Sequence, residues 1–377
     1  MEEAVSEPAS ATSGDAKLAD FEDGRAIEVP VARIEAELAA LWRRAAEARP
    51  GQIPRAVTRA CLWNLIVHVH GEAQFTHAKR NIDELAQRLP ARTLVVRAEP
   101  DGPDEEVRAW VEANWRRREG GGEASGSDEV TLWARGRAVE RLPSLVRALL
   151  LSDAPTAIFW SAGLPPPHPT VRELIHQADR LIVDTRKLSD EHGLVELCKL
   201  GHSDPDLELA DLSWLGISPL RGMCAALFDP PRDASVLSRL DRVRVVSNIQ
   251  GTQARGLLAL GWMMSRLGWS EPQRRDESQG ARRWQAVRRD GRPVTLELVT
   301  RAGGDHGVAG LELHAGDDVW QLERDSAIHV RGPELPSRSQ PARSHSDAEL
   351  LTSALGQRGR DVIFRDALAR AGALVSA

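Results

Sequence analysis

Between residues 31 and 48, apolar side chains return every three or four positions, at Val31, Ile34, Leu38, Leu41, Trp42 and Ala45. At 3.6 residues per turn these share one face, which predicts an amphipathic helix ended by Pro50 and Gly51. The apolar run 61–70 reads as a buried strand, 72–89 as a helix closed by Pro90, and 93–98 as the next strand. That order predicts a parallel pair joined by a crossover helix. Residues 105–118 fit two periods. Val107, Trp110, Val111 and Trp115 suit a helix, whereas Val107, Ala109, Val111, Ala113 and Trp115 also alternate as a strand would. The glycine-rich stretch 120–127 and the second alternating run 129–134 favour the strand, as half of a hairpin.

Further on, 139–151 reads as a helix that tolerates Pro143 only in its first turn. Strands follow at 157–161 and 180–184, with a short helix at 170–178 between them. Residues 25–230 thus predict an α/β domain on a mixed, largely parallel sheet, preceded by a disordered tail over 1–24. Past Pro230 and Pro231 the pattern changes. A strand at 243–249 leads into a helix at 251–267, with Thr252 as its cap, and then into a polar loop at 270–282. Strand-like runs at 284–288, 294–299 and 310–314, then a turn at 316–318 and a fourth run, predict an antiparallel meander. Residues 231–332 therefore form a smaller α+β domain, 333–345 a linker, and 346–377 a C-terminal helical segment.

Composition narrows the functions available. At 377 residues the chain is long enough for two domains. It has 11 Trp, 5 Phe and no Tyr, which removes any mechanism needing a phenol. A net charge of −6, with Arg116–Arg118 the only dense basic run, argues against nucleic acid. Cys61, Cys198 and Cys224 lie far apart without metal or disulfide spacing, as in a reducing compartment. The start lacks the basic and apolar stretches of a signal peptide, and no apolar run is long enough to span a bilayer. A soluble, cytoplasmic protein that makes no membrane contact is the expectation.

Candidate chemistry is sparse. Gly251 sits at a strand–helix junction that could hold a phosphate, yet it has neither GxGxxG nor a P-loop ending. His68 and His70 alternate along a strand, with His77 beyond them, but no third ligand at metal spacing accompanies them. Ser161 lacks the surroundings of a nucleophile elbow. No catalytic, cofactor or metal residue is assigned. What remains is Trp160 and Asp184, at the carboxyl ends of two expected parallel strands where open α/β sheets bind ligands or partners, and then Asp211, Trp214 and Arg221.

The stretch Asp211-Leu212-Ser213-Trp214, with Ser218-Pro219-Leu220-Arg221 and Leu227-Phe228-Asp229, resembles the central signature of the glucose-6-phosphate dehydrogenase assembly protein family, OpcA. Residues 59–67, 86–96, 130–160 and 256–269 resemble further family segments, in order. The resemblance implies a non-catalytic factor that binds glucose-6-phosphate dehydrogenase and favours its active state. Trp160, Asp184, Asp211, Trp214 and Arg221 then become partner-binding or motif residues. Relatives often carry cysteines in the hairpin region, whereas 105–135 has none here, which speaks against thiol control. The long motif often ends in two tryptophans, and here Trp160 is followed by Ser161. The alternative is a sugar-phosphate- or nucleotide-binding enzyme or sensor using the carboxyl edge of the sheet.

Overall fold

A computed structural model describes residues 26–47, 61–116, 125–229, 235–248, 253–278, 280–302, 307–333 and 335–377. The tail 1–24, Pro50, Gly51, Gly251 and Thr252 lie outside these. By their contacts the residues group into two units, Met1–Gly71 with Leu89–Ala154 and Glu72–Arg88 with Pro155–Ala377. This grouping departs from the boundary expected near 230. Residues 155–230 go with the second unit, and so does the helix after the first long strand. The ion pair and hydrogen bond that His77 and Glu84 make to Asp347 and Ser346 show why.

The first unit contains β1 (Ile27–Val29), α1 (Ile34–Glu47) and β2 (Trp63–Val69). Helix α2 (Gly71–Ala86) follows β2 and groups almost wholly with the second unit. Then come β3 (Ala91–Glu99), β4 (Val107–Arg116), β5 (Ser125–Arg135) and, after a 3-10 turn, α3 (Leu142–Leu149). The strands run in the order β1, β4, β5, β3, β2. β2 and β5 flank β3 in parallel, and β4 pairs antiparallel with both β5 and β1. Within the run 105–118, Val107–Arg116 is a strand, as its alternation predicts; residues 117–118 lie outside the described ones. Pro143 falls in the first turn of α3, where its missing N–H leaves no bond unmade. The sheet buries charge as well as apolar surface. Arg92, 2% exposed, donates to the Leu149 carbonyl at 2.8 Å and to Glu35 at 3.0 Å. Trp42 of α1 donates to Asp128 at 2.7 Å, so the buried carboxylate is also satisfied.

The second unit opens with three parallel strands, β6 (Thr156–Trp160), β7 (Arg180–Val183) and β8 (Glu208–Asp211). Between them lie α4 (Pro169–Ile175) and α5 (His192–Ser203), and after β8 come the short α6 (Leu212–Gly216) and α7 (Ser218–Ala226). These strands are apolar almost throughout because both faces are covered. A second sheet follows, built from β9 (Arg242–Asn248), then, beyond α8 (Ala254–Leu267), β10 (Gln273–Ser278), β11 (Ala281–Val287), β12 (Pro293–Arg301), β13 (Val308–Ala315), β14 (Asp318–Arg324), β15 (Ala327–Gly332) and β16 (Leu335–Pro341). The chain closes with α9 (Asp347–Gly356) and α10 (Val362–Ser376).

The expected meander is present but interrupted. β9 sits between β12 and β13, parallel to the first and antiparallel to the second. Two expectations are corrected. The polar loop at 270–282 contains β10, an edge strand held to β11 by backbone pairing from Gln273↔Gln285 to Ser278↔Ala281. The linker at 333–345 contains β16, whose two prolines are tolerated because it lies at the opposite edge. The C-terminal helical segment is two helices, broken at a glycine with φ +71, Gly359. Helix α8 packs closely on α10. A Cβ on Gly261 would collide with the Ala367 carbonyl and stand 2.7 Å from the Ala371 nitrogen.

Candidate functional site

The carboxyl ends of β7 and β8 carry two carboxylates with no solvent exposure, Asp184 and Asp211. Asp184 ends its strand and receives Arg186 in a two-pronged contact, Nε at 2.6 Å and Nη2 at 2.8 Å. The same guanidinium reaches Asp347 at 2.6 Å, and His77 lies 3.1 Å from the other oxygen of that carboxylate. Burial alone would lower the Arg186 pKa, but its two carboxylate partners outweigh that and hold it above its ordinary value. Burial likewise pushes Asp347 up, and the charge and hydrogen bond of Arg186, with His77 and Lys187 adding to them, more than reverse it. Asp347 opens α9, whose start is fixed by a reciprocal pair of bonds between Ser346 and Glu349.

Asp211 is held differently, by neutral donors. It accepts from the Thr185 amide at 2.9 Å and the Thr185 hydroxyl at 2.8 Å. It also caps α6 through the amides of Ser213 and Trp214, both at 3.1 Å. One side chain therefore ties β7 to β8 and starts the next helix. Burial, with Asp184 adding to it, raises its pKa to about 6 despite these donors.

Trp214 is 1% exposed. Its indole donates to Asp361 at 2.9 Å and packs on Phe364 with centroids 5.6 Å apart. Asp361 in turn caps α10 by accepting from the Phe364 amide at 2.8 Å. The Arg221 guanidinium lies over the indole ring, 3.4 Å from its centroid. Burial lowers its pKa to about 10. A further tie comes from Arg180, which pairs with Glu208 across β7 and β8 and donates to the Gln357 carbonyl at 2.9 Å, past the end of α9.

The structure brings Asp184, Asp211, Trp214 and Arg221 into this set of linked contacts. Trp160, 3% exposed, ends β6, and Ser161 beside it donates to Gln74 at 3.4 Å. Of the five residues singled out in the sequence, only Arg221 keeps appreciable surface; the other four are buried in the chain as it stands. The bracing partners Arg186, Asp347 and Asp361 carried no sequence signal, because each sits in an ordinary charged context and the ties of Arg186 to Asp347, Asp347 to His77 and Asp361 to Trp214 all cross long separations. His68 is buried in β2 and His77 serves Asp347. No helix among the described residues is long and apolar enough to cross a membrane.

These features define an α/β protein whose strand ends are locked by buried carboxylates, guanidiniums and one indole. Residues 82–199 match the family described as the glucose-6-phosphate dehydrogenase subunit N-terminal domain, and 207–368 match the corresponding C-terminal domain. The chain belongs to this glucose-6-phosphate dehydrogenase assembly protein family, OpcA. It is 29% identical over 223 residues to a Nostoc punctiforme protein carrying the name OxPP cycle protein OpcA, covering 58% of this chain and 47% of that one. A Synechocystis protein of the same name is 30% identical over 142 residues, 37% of this chain and 29% of that one. The matches thus span about half, or less, of the length of these curated relatives. Among solved structures, an NAD binding oxidoreductase from Klebsiella pneumoniae is similar with a TM-score of 0.48 and 11% identity, over 84% of this chain and 96% of that one. Likeness at that level says nothing of activity.

Proposed function

We propose that this chain is a non-catalytic assembly factor that binds glucose-6-phosphate dehydrogenase and favours its active state in the oxidative pentose phosphate pathway. The observation that carries the reading is the ordered match to both domains of a family described as a glucose-6-phosphate dehydrogenase subunit. The geometry of the motif supports it. Asp211, Trp214 and Asp184 spend their polar atoms on bracing strands and helices, as a rigid binding scaffold requires. Arg221 borders a groove with Ser218, Phe228, Trp262 and the exposed Ile363. Arg and Trp side chains of this kind dominate interface energetics. A partner that prefers one state of an enzyme shifts its population toward that state, and a tenfold effect needs about 1.4 kcal/mol of preference.

The test is the activity of the dehydrogenase from the same genome, assayed with and without this protein across substrate concentrations. A saturable fall in apparent KM or rise in kcat is expected, with co-migration on a sizing column. Arg221→Ala should raise the concentration needed for half the effect by about tenfold while leaving the chain folded. Unchanged kinetics together with separate migration would overturn the proposal.

A further inference from the structure

Arg255 and Arg324, both in the second unit, have no directly paired carboxylate among the described residues. Arg255 is the second residue of α8, and Arg324 ends β14. Both lie against Gly216. Arg324 Nη1 donates to the Gly216 carbonyl at 3.3 Å, and a Cβ on Gly216 would stand 3.1 Å from Arg255 Nη2. At Gly307 a Cβ would collide with Arg255 Cδ, so two glycines leave the slot this side chain occupies. Arg255 Nε donates to the Ser213 hydroxyl at 3.1 Å. The pair is therefore held in place by one hydroxyl and one carbonyl, both neutral. The Nε of Arg324 is buried with no acceptor among the described residues.

Among the described residues the nearby carboxylates are already committed, Glu191 to Arg282 and the Gln253 amide among them. Asp184 is taken by Arg186, Asp347 by Arg186 and His77, and Asp211 by Thr185, Ser213 and Trp214. Burial, and then the like charges of Arg186 and Arg324, push Arg255 down to about 10, although Asp184 and Asp211 act the other way. Both guanidiniums are half-buried, and a cation partly withdrawn from water without a directly paired carboxylate is costly. Their unused N–H groups form the planar forks that match an oxyanion. Helix α8, 14 residues long, begins one residue before Arg255; the Gln253 amide ahead of it is already taken by Glu191 at 3.3 Å, so the two guanidiniums carry the site rather than the helix end.

We propose that Arg255 and Arg324 form a binding site for a phosphate group, free or carried as the ester of a small metabolite. A phosphate brings close to two negative charges for two guanidiniums and three acceptor oxygens for their free donors, where a carboxylate brings one charge and two oxygens. The site does not depend on the chain binding a dehydrogenase, and its test needs no partner.

Inorganic phosphate is titrated against thermal unfolding of the full chain, with chloride holding ionic strength constant. A saturable rise of about 3 °C is expected at a hundredfold excess over Kd. It should vanish in Arg255→Gln and persist in Arg289→Gln, an exposed arginine elsewhere. Should Arg255→Gln fail to fold, protection of the wild-type guanidiniums from phenylglyoxal by phosphate, read by peptide mass spectrometry, decides instead. A hexose phosphate acting at lower concentration than inorganic phosphate, with glucose inert, identifies an ester as the ligand. The reverse order identifies free phosphate. The site is overturned if phosphate gives no shift beyond chloride, if Arg255→Gln keeps the shift, or if Arg255 and Arg324 gain no protection.

Discussion

Asp211 accepts four hydrogen bonds from neutral donors in a place no water reaches, and this gives it an unusual pH signature. Its ordinary pKa is 3.8, and burial raises it to about 6 in the folded chain. Between those values the folded state holds a proton that the unfolded state has released. The stability this contributes is fully present below the unfolded pKa and is lost as pH rises through about 6. Two pKa units correspond to roughly 3 kcal/mol. Asp211→Asn cannot titrate, and its loss of acceptors lowers stability by an amount that is the same at each pH. Urea denaturation should therefore show the wild type's advantage over Asp211→Asn shrinking by about 2.4 kcal/mol between about pH 4 and pH 7. A constant difference would mean that Asp211 titrates in its ordinary range.

Helices α7 and α8 each contain an interior glycine, Gly222 and Gly261, and sequence alone gives no reason to treat them differently. Alanine is a better helix former than glycine by about 1 kcal/mol. A Cβ on Gly222 meets nothing within 4 Å, so Gly222→Ala should stabilise by roughly 0.5–1 kcal/mol. A Cβ on Gly261 collides with the backbone of α10, which cannot rotate away as a side chain can. Gly261→Ala should destabilise by about 2 kcal/mol or more despite the better propensity. Chemical denaturation of the two variants gives both signs, and a stable Gly261→Ala would refute this account of the helix contact. The same contrast explains what the sequence showed and what it hid. Period and turn chemistry are local, so α1, β4 and the runs around β11 to β14 were legible. β10 and β16 were not, because Gln273–Ser278 is wholly polar and Leu335–Pro341 contains prolines; backbone pairing at the two sheet edges is what makes them strands. The site divided in the same way. Asp211, Trp214 and Arg221 stood out as a motif, while Arg255 sits in a helix that reads as core and meets Gly216 only in three dimensions.

The two units carry buried groups that respond to acid in opposite directions. His68, in β2 of the first unit, is driven from 6.5 to about 3 by burial, with His70 adding to it. Below the ordinary value the unfolded chain takes up a proton that the native strand refuses. This contribution to stability is thus present above about pH 6.5 and lost as pH falls toward 3, up to roughly 4–5 kcal/mol in all. Asp211, in the second unit, works the other way over nearly the same window. Asp347 and Glu297, also in the second unit and both held below their ordinary values, oppose Asp211. The wild-type profile of that unit is therefore a composite, and only variant differences isolate one group. Hydrogen exchange followed by mass spectrometry reads local opening segment by segment. With rates corrected for pH, peptides spanning β2 and β3 should lose about 2 kcal/mol of protection between pH 6.5 and pH 5, and His68→Gln should abolish that slope. If β2 and β3 keep the slope in His68→Gln, the histidine is not its source. If the slope is His68-dependent but extends to β7 and β8, the units open as one cooperative body; confinement to β2 and β3 means that each unit sets its own stability.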